Sequence, residues 1–136
     1  MRTFTSGALG LGAILFGIPA LVAPGRFARL FGIAAADEPT VATAIRSVGI
    51  RDVMIGYGLL RAVQAGDSYA LRQWLVARAA SDAGDAVAVG LAVAAGAREP
   101  RFLGLGAVAV GAALLGAVLV SSFPARARRF PPIKLT

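Results

Sequence analysis

The chain contains no cysteine and no histidine. The first absence excludes disulfides, thiolate catalysis and cysteine-ligated metals. The second removes the commonest general base and the commonest metal ligand. Proton chemistry is left to Asp, Glu, Tyr and Lys, and neither a metal nor a cofactor is expected. Charge is scarce as well. Charged residues make up 15% of the chain, against about 25% in soluble domains. Acids are the rarer sign, 7 against 14 basic residues, which leaves a net charge of +7.

Apolar sequence fills the place of those groups. The 136 residues are 57% hydrophobic, with a mean hydropathy of +0.74. So short a chain has too little interior to wrap that much apolar sequence, so it reads as one integral membrane domain over residues 1–136. Ala, Gly, Val and Leu dominate, which suits helices packed closely in lipid. The arginines flank or interrupt the apolar runs and do not form one soluble basic face. That pattern points to membrane topology and away from a nucleic-acid partner.

Four crossings can be placed, over about 3–24, 41–64, 69–97 and 102–123. Thr3 to Gly25 is uncharged, and a span needs about 20 residues. Arg2 gives it the look of a signal peptide, but the run is too long and Pro24 follows Ala23 where cleavage would fall, so it reads as an uncleaved helix. Ala8/Gly12 and Ala13/Gly17 have the spacing that lets helices approach closely. Pro24 to Gly32 alternates arginine with aromatic and aliphatic residues and is expected to lie along the interface. Thr40 is the expected N-cap of the second helix. Gly66-Asp67-Ser68 forms a turn. Trp74 is expected to be an interfacial anchor of the third helix. The uncharged stretch Phe102 to Ala125 forms the fourth, with Ala107/Gly111 and Ala112/Gly116 repeating the small-residue spacing. Arg2, Arg61, Arg72, Arg126, Arg128, Arg129 and Lys134 then share one side. The expected fold is therefore an all-α, four-helix transmembrane bundle with N and C termini cytoplasmic, multi-pass in the inner (plasma) membrane.

The second and third helices carry the charges that such a fold must bury: Arg46, Arg51 and Arg78 against Asp52, Asp82 and Asp85. Each charge left unpaired at mid-bilayer costs about 2.5–3.5 kcal/mol, so they pair, line a wet cavity, or both. Arg78, Asp82 and Asp85 stand at i, i+4 and i+7, on one stripe of one helix face. At about 1.5 Å per residue, Arg51 and Asp85 reach similar depths from opposite ends. Arg51 and Arg46 are expected to meet Asp85, Arg78 to hold Asp82, and Asp52 to face a close glycine seam between Gly49 and Gly56.

At Pro24-Gly25-Arg26 through Gly32, at Gly49-Ile50-Arg51-Asp52 with Gly56, and at Asp82/Asp85, the chain resembles a group of small four-helix membrane proteins of bacteria and fungi catalogued as a domain of unknown function. The resemblance covers nearly the whole chain. It implies a four-helix fold and brings no activity with it.

Two functional classes fit the buried set. The first is a binding site for an apolar or amphipathic small molecule such as a lipid or isoprenoid, formed by Arg46, Arg51, Asp52, Tyr57, Arg78, Asp82 and Asp85. The second is a membrane-embedded acid–base enzyme (isomerase, cyclase or epoxide-opening) in which Asp82 or Asp85 is the acid and Arg51 orients it. A third reading makes the charges structural glue in an accessory subunit of a membrane complex. Membrane lipid is the expected surrounding partner, with a homodimer or a membrane partner protein as further associations.

Overall fold

The computed structural model describes residues 2–33 and 35–125. These residues form helices α1 (Arg2–Val22), α2 (Pro24–Leu30), α3 (Pro39–Ala65), α4 (Ser68–Ala94) and α5 (Pro100–Ser121), and no strand. The long helices α1, α3, α4 and α5 coincide with the expected ones to within a few residues. The addition is α2, a short helix in the stretch expected to lie along the interface. The basic tail of Arg126, Arg128, Arg129 and Lys134 lies outside the described residues.

Local chemistry sets the boundaries. Proline opens α2, α3 and α5, where its missing N–H would have had no intrahelical partner. Because Pro39 starts α3, Glu38 is its N-cap, and Thr40, the expected cap, already lies inside the helix. Gly66 ends α3 in the left-handed region at φ +64°. Asp67 then caps α4, its Oδ1 accepting from the backbone N–H groups of Tyr69 and Ala70.

The helices pack as two pairs, α1 against α3 and α4 against α5, and the pairs meet mainly through α3 and α4. Glycine sets the first pair's separation. A Cβ on Gly56 would lie 2.5 Å from the Gly10 carbonyl oxygen, and one on Gly49 would lie 2.7 Å from that of Gly17. The buried stripe of α1 is Ser6, Gly10, Ala13, Gly17 and Ala20, alternating four- and three-residue steps that hold one face towards the partner. The expected Ala8/Gly12 pair is not part of this seam: Ala8 is exposed and a Cβ on Gly12 would meet open space. In the second pair Gly106 receives Val89 and Gly116 receives Ala79, while Gly111 faces open space.

The close-packed core occupies one end of the bundle. Ile55, Leu59 and Ala62 of α3 meet Leu71 and Leu75 of α4 and Leu119 of α5. Trp74 lies half-buried against this cluster, its ring over Gly58. At the same end Arg2 Nη1 donates to the Ser122 carbonyl oxygen at 2.9 Å, tying α1 to α5. At the opposite end the Glu99 side chain lies over Gly32, whose φ of +73° suits glycine. That contact brings the segment after α2 against the one before α5.

Two helices, α1 and α5, are long and apolar enough to cross a membrane, with mean hydropathies of 1.8 and 2.4. Their most apolar windows are only 28% and 17% buried.

Candidate functional site

Beyond the core the two helix pairs flank a half-open cavity of about 410 Å³. Every long helix contributes to it. Phe16 of α1, Ile45 and Val48 of α3, Val89 of α4, and Phe102 and Leu105 of α5 form much of its apolar wall. Phe27 of α2 and Phe31 just after it complete that wall. Phe16 and Phe27 meet edge-to-face with centroids 4.9 Å apart, and Phe27 and Phe31 lie 5.0 Å apart. Offset and edge-on rings at these separations attract beyond their area burial.

The charged floor of the cavity comes from α3 and α4. Arg78, Asp82, Asp85 and Val89 all line it, as their shared helical stripe requires. Asp52 joins them from α3, held at the α1 seam by the glycines one turn before and after it. Asp82 is buried and grips Arg78 through both oxygens, Nη2 to Oδ1 at 2.7 Å and Nε to Oδ2 at 2.8 Å. Asp85 engages Arg51 in the same two-pronged way, at 2.9 and 2.7 Å. Such paired contacts fix both planes and are the stronger kind of ion pair.

Asp52 links the two pairs into one network. Its Oδ1 accepts from Arg51 Nε at 3.3 Å and Nη2 at 3.2 Å, and lies 3.4 Å from Arg78 Nη1. The last contact is an ion pair without hydrogen-bond geometry, and it leaves Arg78 Nη1 buried with no hydrogen-bond partner. Asp52 Oδ2 accepts no hydrogen bond among the described residues.

The residues named from the sequence divide cleanly. Arg51, Asp52, Arg78, Asp82 and Asp85 come together. Arg46 does not: it is exposed and forms no ion pair among the described residues, so the expected contact with Asp85 is missing. The reason is helical geometry. Five residues at about 100° each turn Arg46 roughly 140° away from Arg51. Tyr57, six residues on, is 55% exposed and does not line the cavity. Arg51 and Asp52 were expected to face different partners, but the long arginine side chain folds back to reach both aspartates. The contact between Arg78 and Asp52 was not anticipated. Nor was the aromatic wall, although Phe27 and Phe31 have the i, i+4 spacing that puts two rings on one helix face.

The exclusion of Arg46 alters the electrostatics. With it, the buried set would balance at three charges of each sign. Without it, Arg51 and Arg78 face Asp52, Asp82 and Asp85, and the network carries a formal surplus of one negative charge. Among the described residues no group of three or more acidic side chains is placed to hold a metal ion.

No curated protein and no solved structure matches the chain. A family model described as a domain of unknown function (DUF4267) matches residues 10–120, a span containing every residue of the cavity wall and its charged floor, and the chain therefore belongs to that family.

Proposed function

We propose that this chain is a multi-pass protein of the inner (plasma) membrane, with α1, α3, α4 and α5 crossing and both termini in the cytoplasm, and that its cavity binds an apolar or amphipathic small molecule. The membrane half of the reading is supported by what α1 and α5 leave uncovered. The core helix of a soluble protein is mostly buried, yet these two helices expose Leu11, Leu15, Ile18, Val110, Leu114 and Val118. Large apolar side chains exposed over whole helix faces mark contact with lipid or a partner.

The observation that carries the binding half is the cavity itself. Its volume lies within the range of about 300–1,000 Å³ typical of small-molecule sites. An apolar, aromatic wall over a small charged floor is the arrangement that orients an amphipathic ligand. An acid–base enzyme is the second reading, and it has less support. Asp82 and Asp85 each hold an arginine through both oxygens, and the chain has no histidine or cysteine to stand beside them as a proton partner.

The test is binding of 1-octanol to the purified protein in maltoside micelles, measured by native mass spectrometry, on wild type and Ala88→Phe. Ala88 lines the cavity and is exposed, so a larger side chain has room to fill the space. The expected result is saturable binding of octanol to wild type, lost in A88F. Equal binding to both, or to neither, refutes a ligand-binding cavity. Tags on both termini that are reachable only after the membrane is opened support the stated topology; a C-terminal tag reachable from outside overturns it.

A further inference from the structure

We infer that the polar end of the ligand carries a positive charge, specifically a protonated amine. This rests on the binding reading above and names the class of molecule the site takes. The argument counts what the floor has left to offer. Every nitrogen of both guanidinium groups lies within 3.4 Å of a carboxylate oxygen. Both guanidinium groups are thus already paired with carboxylates, and an anionic head group would have to displace an aspartate or lie beside it as a like charge. The one nitrogen without a hydrogen bond, Arg78 Nη1, is buried and held beside Asp52.

Acceptors, by contrast, are in surplus. An ionised carboxylate can accept about four hydrogen bonds, and none of the three aspartates is filled. Asp52 is the least satisfied. Its side chain is 3% exposed, it belongs to the cavity wall, and its Oδ2 accepts nothing from the described residues. Asp85 is the most reachable, with a side chain 38% exposed.

Charge points the same way as hydrogen bonding. The cavity wall presents three aspartates and one arginine, since Arg51 holds Asp52 and Asp85 without lining the space itself. Across the whole network the surplus is one negative charge. A buried charge without a counter-charge is costly, and a single ammonium group on the ligand removes it. A metal ion is not a substitute, because among the described residues no three acidic groups are placed to ligate one. The Phe16, Phe27 and Phe31 rings suit the ligand's apolar body.

The experiment compares molecules with one chain and different heads. Octylammonium, 1-octanol and octanoate are titrated into wild-type protein in maltoside micelles and followed by native mass spectrometry. Octylammonium should bind about ten-fold or more tightly than octanol, the scale of one charge-assisted hydrogen bond, and octanoate should bind more weakly than octanol. Asp52→Asn balances the network and should abolish the preference for octylammonium while octanol still binds. Asp85→Asn makes the same change at a less buried position and serves if D52N does not fold. Equal binding of octylammonium and octanol, or stronger binding of octanoate, overturns the cationic head group but leaves the apolar cavity standing. So does a preference that survives in both variants. Failure of all three probes to bind removes the cavity reading along with it.

Discussion

Replacing Arg78 by methionine is the perturbation that weighs the ion network most directly. Arg78 is 13% exposed and faces two carboxylates, Asp82 at 4% and Asp52 at 3% exposed. Methionine keeps the apolar stem and deletes the charge. Asp82 then loses the cation that held both its oxygens, while Asp52 keeps Arg51 at 3.2 Å. One uncompensated charge at bilayer depth costs about 2.5–3.5 kcal/mol, a large share of the roughly 5–15 kcal/mol that stabilises a typical protein. Arg51→Met acts on two carboxylates. Asp85 is 38% exposed and is screened by water in the cavity, but buried Asp52 loses both of its hydrogen bonds and keeps only the ion pair with Arg78 at 3.4 Å, so the loss is about 1–3 kcal/mol. The assay is thermal unfolding in maltoside micelles followed by circular dichroism. The double variant R78M/D82N removes charge and counter-charge together and should recover most of the loss. The reasoning is refuted if R78M costs less than about 1 kcal/mol, or if the double variant is no more stable than R78M alone.

Four further substitutions probe the frame around the network. Gly56→Ala drives a methyl group into the Gly10 backbone and should cost about 1–3 kcal/mol, as overpacking generally does. Gly84→Ala meets open space and should gain roughly 0.5–1 kcal/mol from helix preference; thermal midpoints that shift the same way for both would show that the α1–α3 seam is not set by glycine. Gly58→Ala displaces the ring of Trp74, the single tryptophan, so its fluorescence maximum should move while that of Gly84→Ala does not. Arg46→Ala should change stability by less than about 0.5 kcal/mol, and a loss as large as that of Arg51→Met would return Arg46 to the network.

Much of the site was legible in residue spacing. Arg78, Asp82, Asp85 and Val89 repeat at helical intervals, and that alone puts them on one wall. Matching depths on antiparallel helices paired Arg51 with Asp85. The mistakes have equally local causes. Arg46 was grouped with Arg51 by depth alone, and the roughly 140° between them on the helix separates them. In α1 and α5 nearly every residue is apolar or small, so no face announces itself. Ala13 and Gly17 lie in the seam as expected, but Gly10 joins them in place of Ala8 and Gly12, because Gly49 and Gly56 across from Gly17 and Gly10 repeat at the same seven-residue interval. The extent and apolar wall of the cavity were not legible for a related reason. The cavity is lined from both helix pairs beyond the Leu59–Leu71–Leu75 core, and a gap between pairs is a property of packing that no single helix encodes.

The central claim is that the cavity holds a small amphipathic molecule with a cationic head. Its most direct test is to purify the protein from the cells that make it, extract it with solvent and identify by mass spectrometry what travels with it. The account predicts an amine-bearing, otherwise apolar molecule at near one equivalent in wild type and absent from Ala88→Phe. Bulk membrane lipid alone, in equal amounts from both proteins, would contradict it.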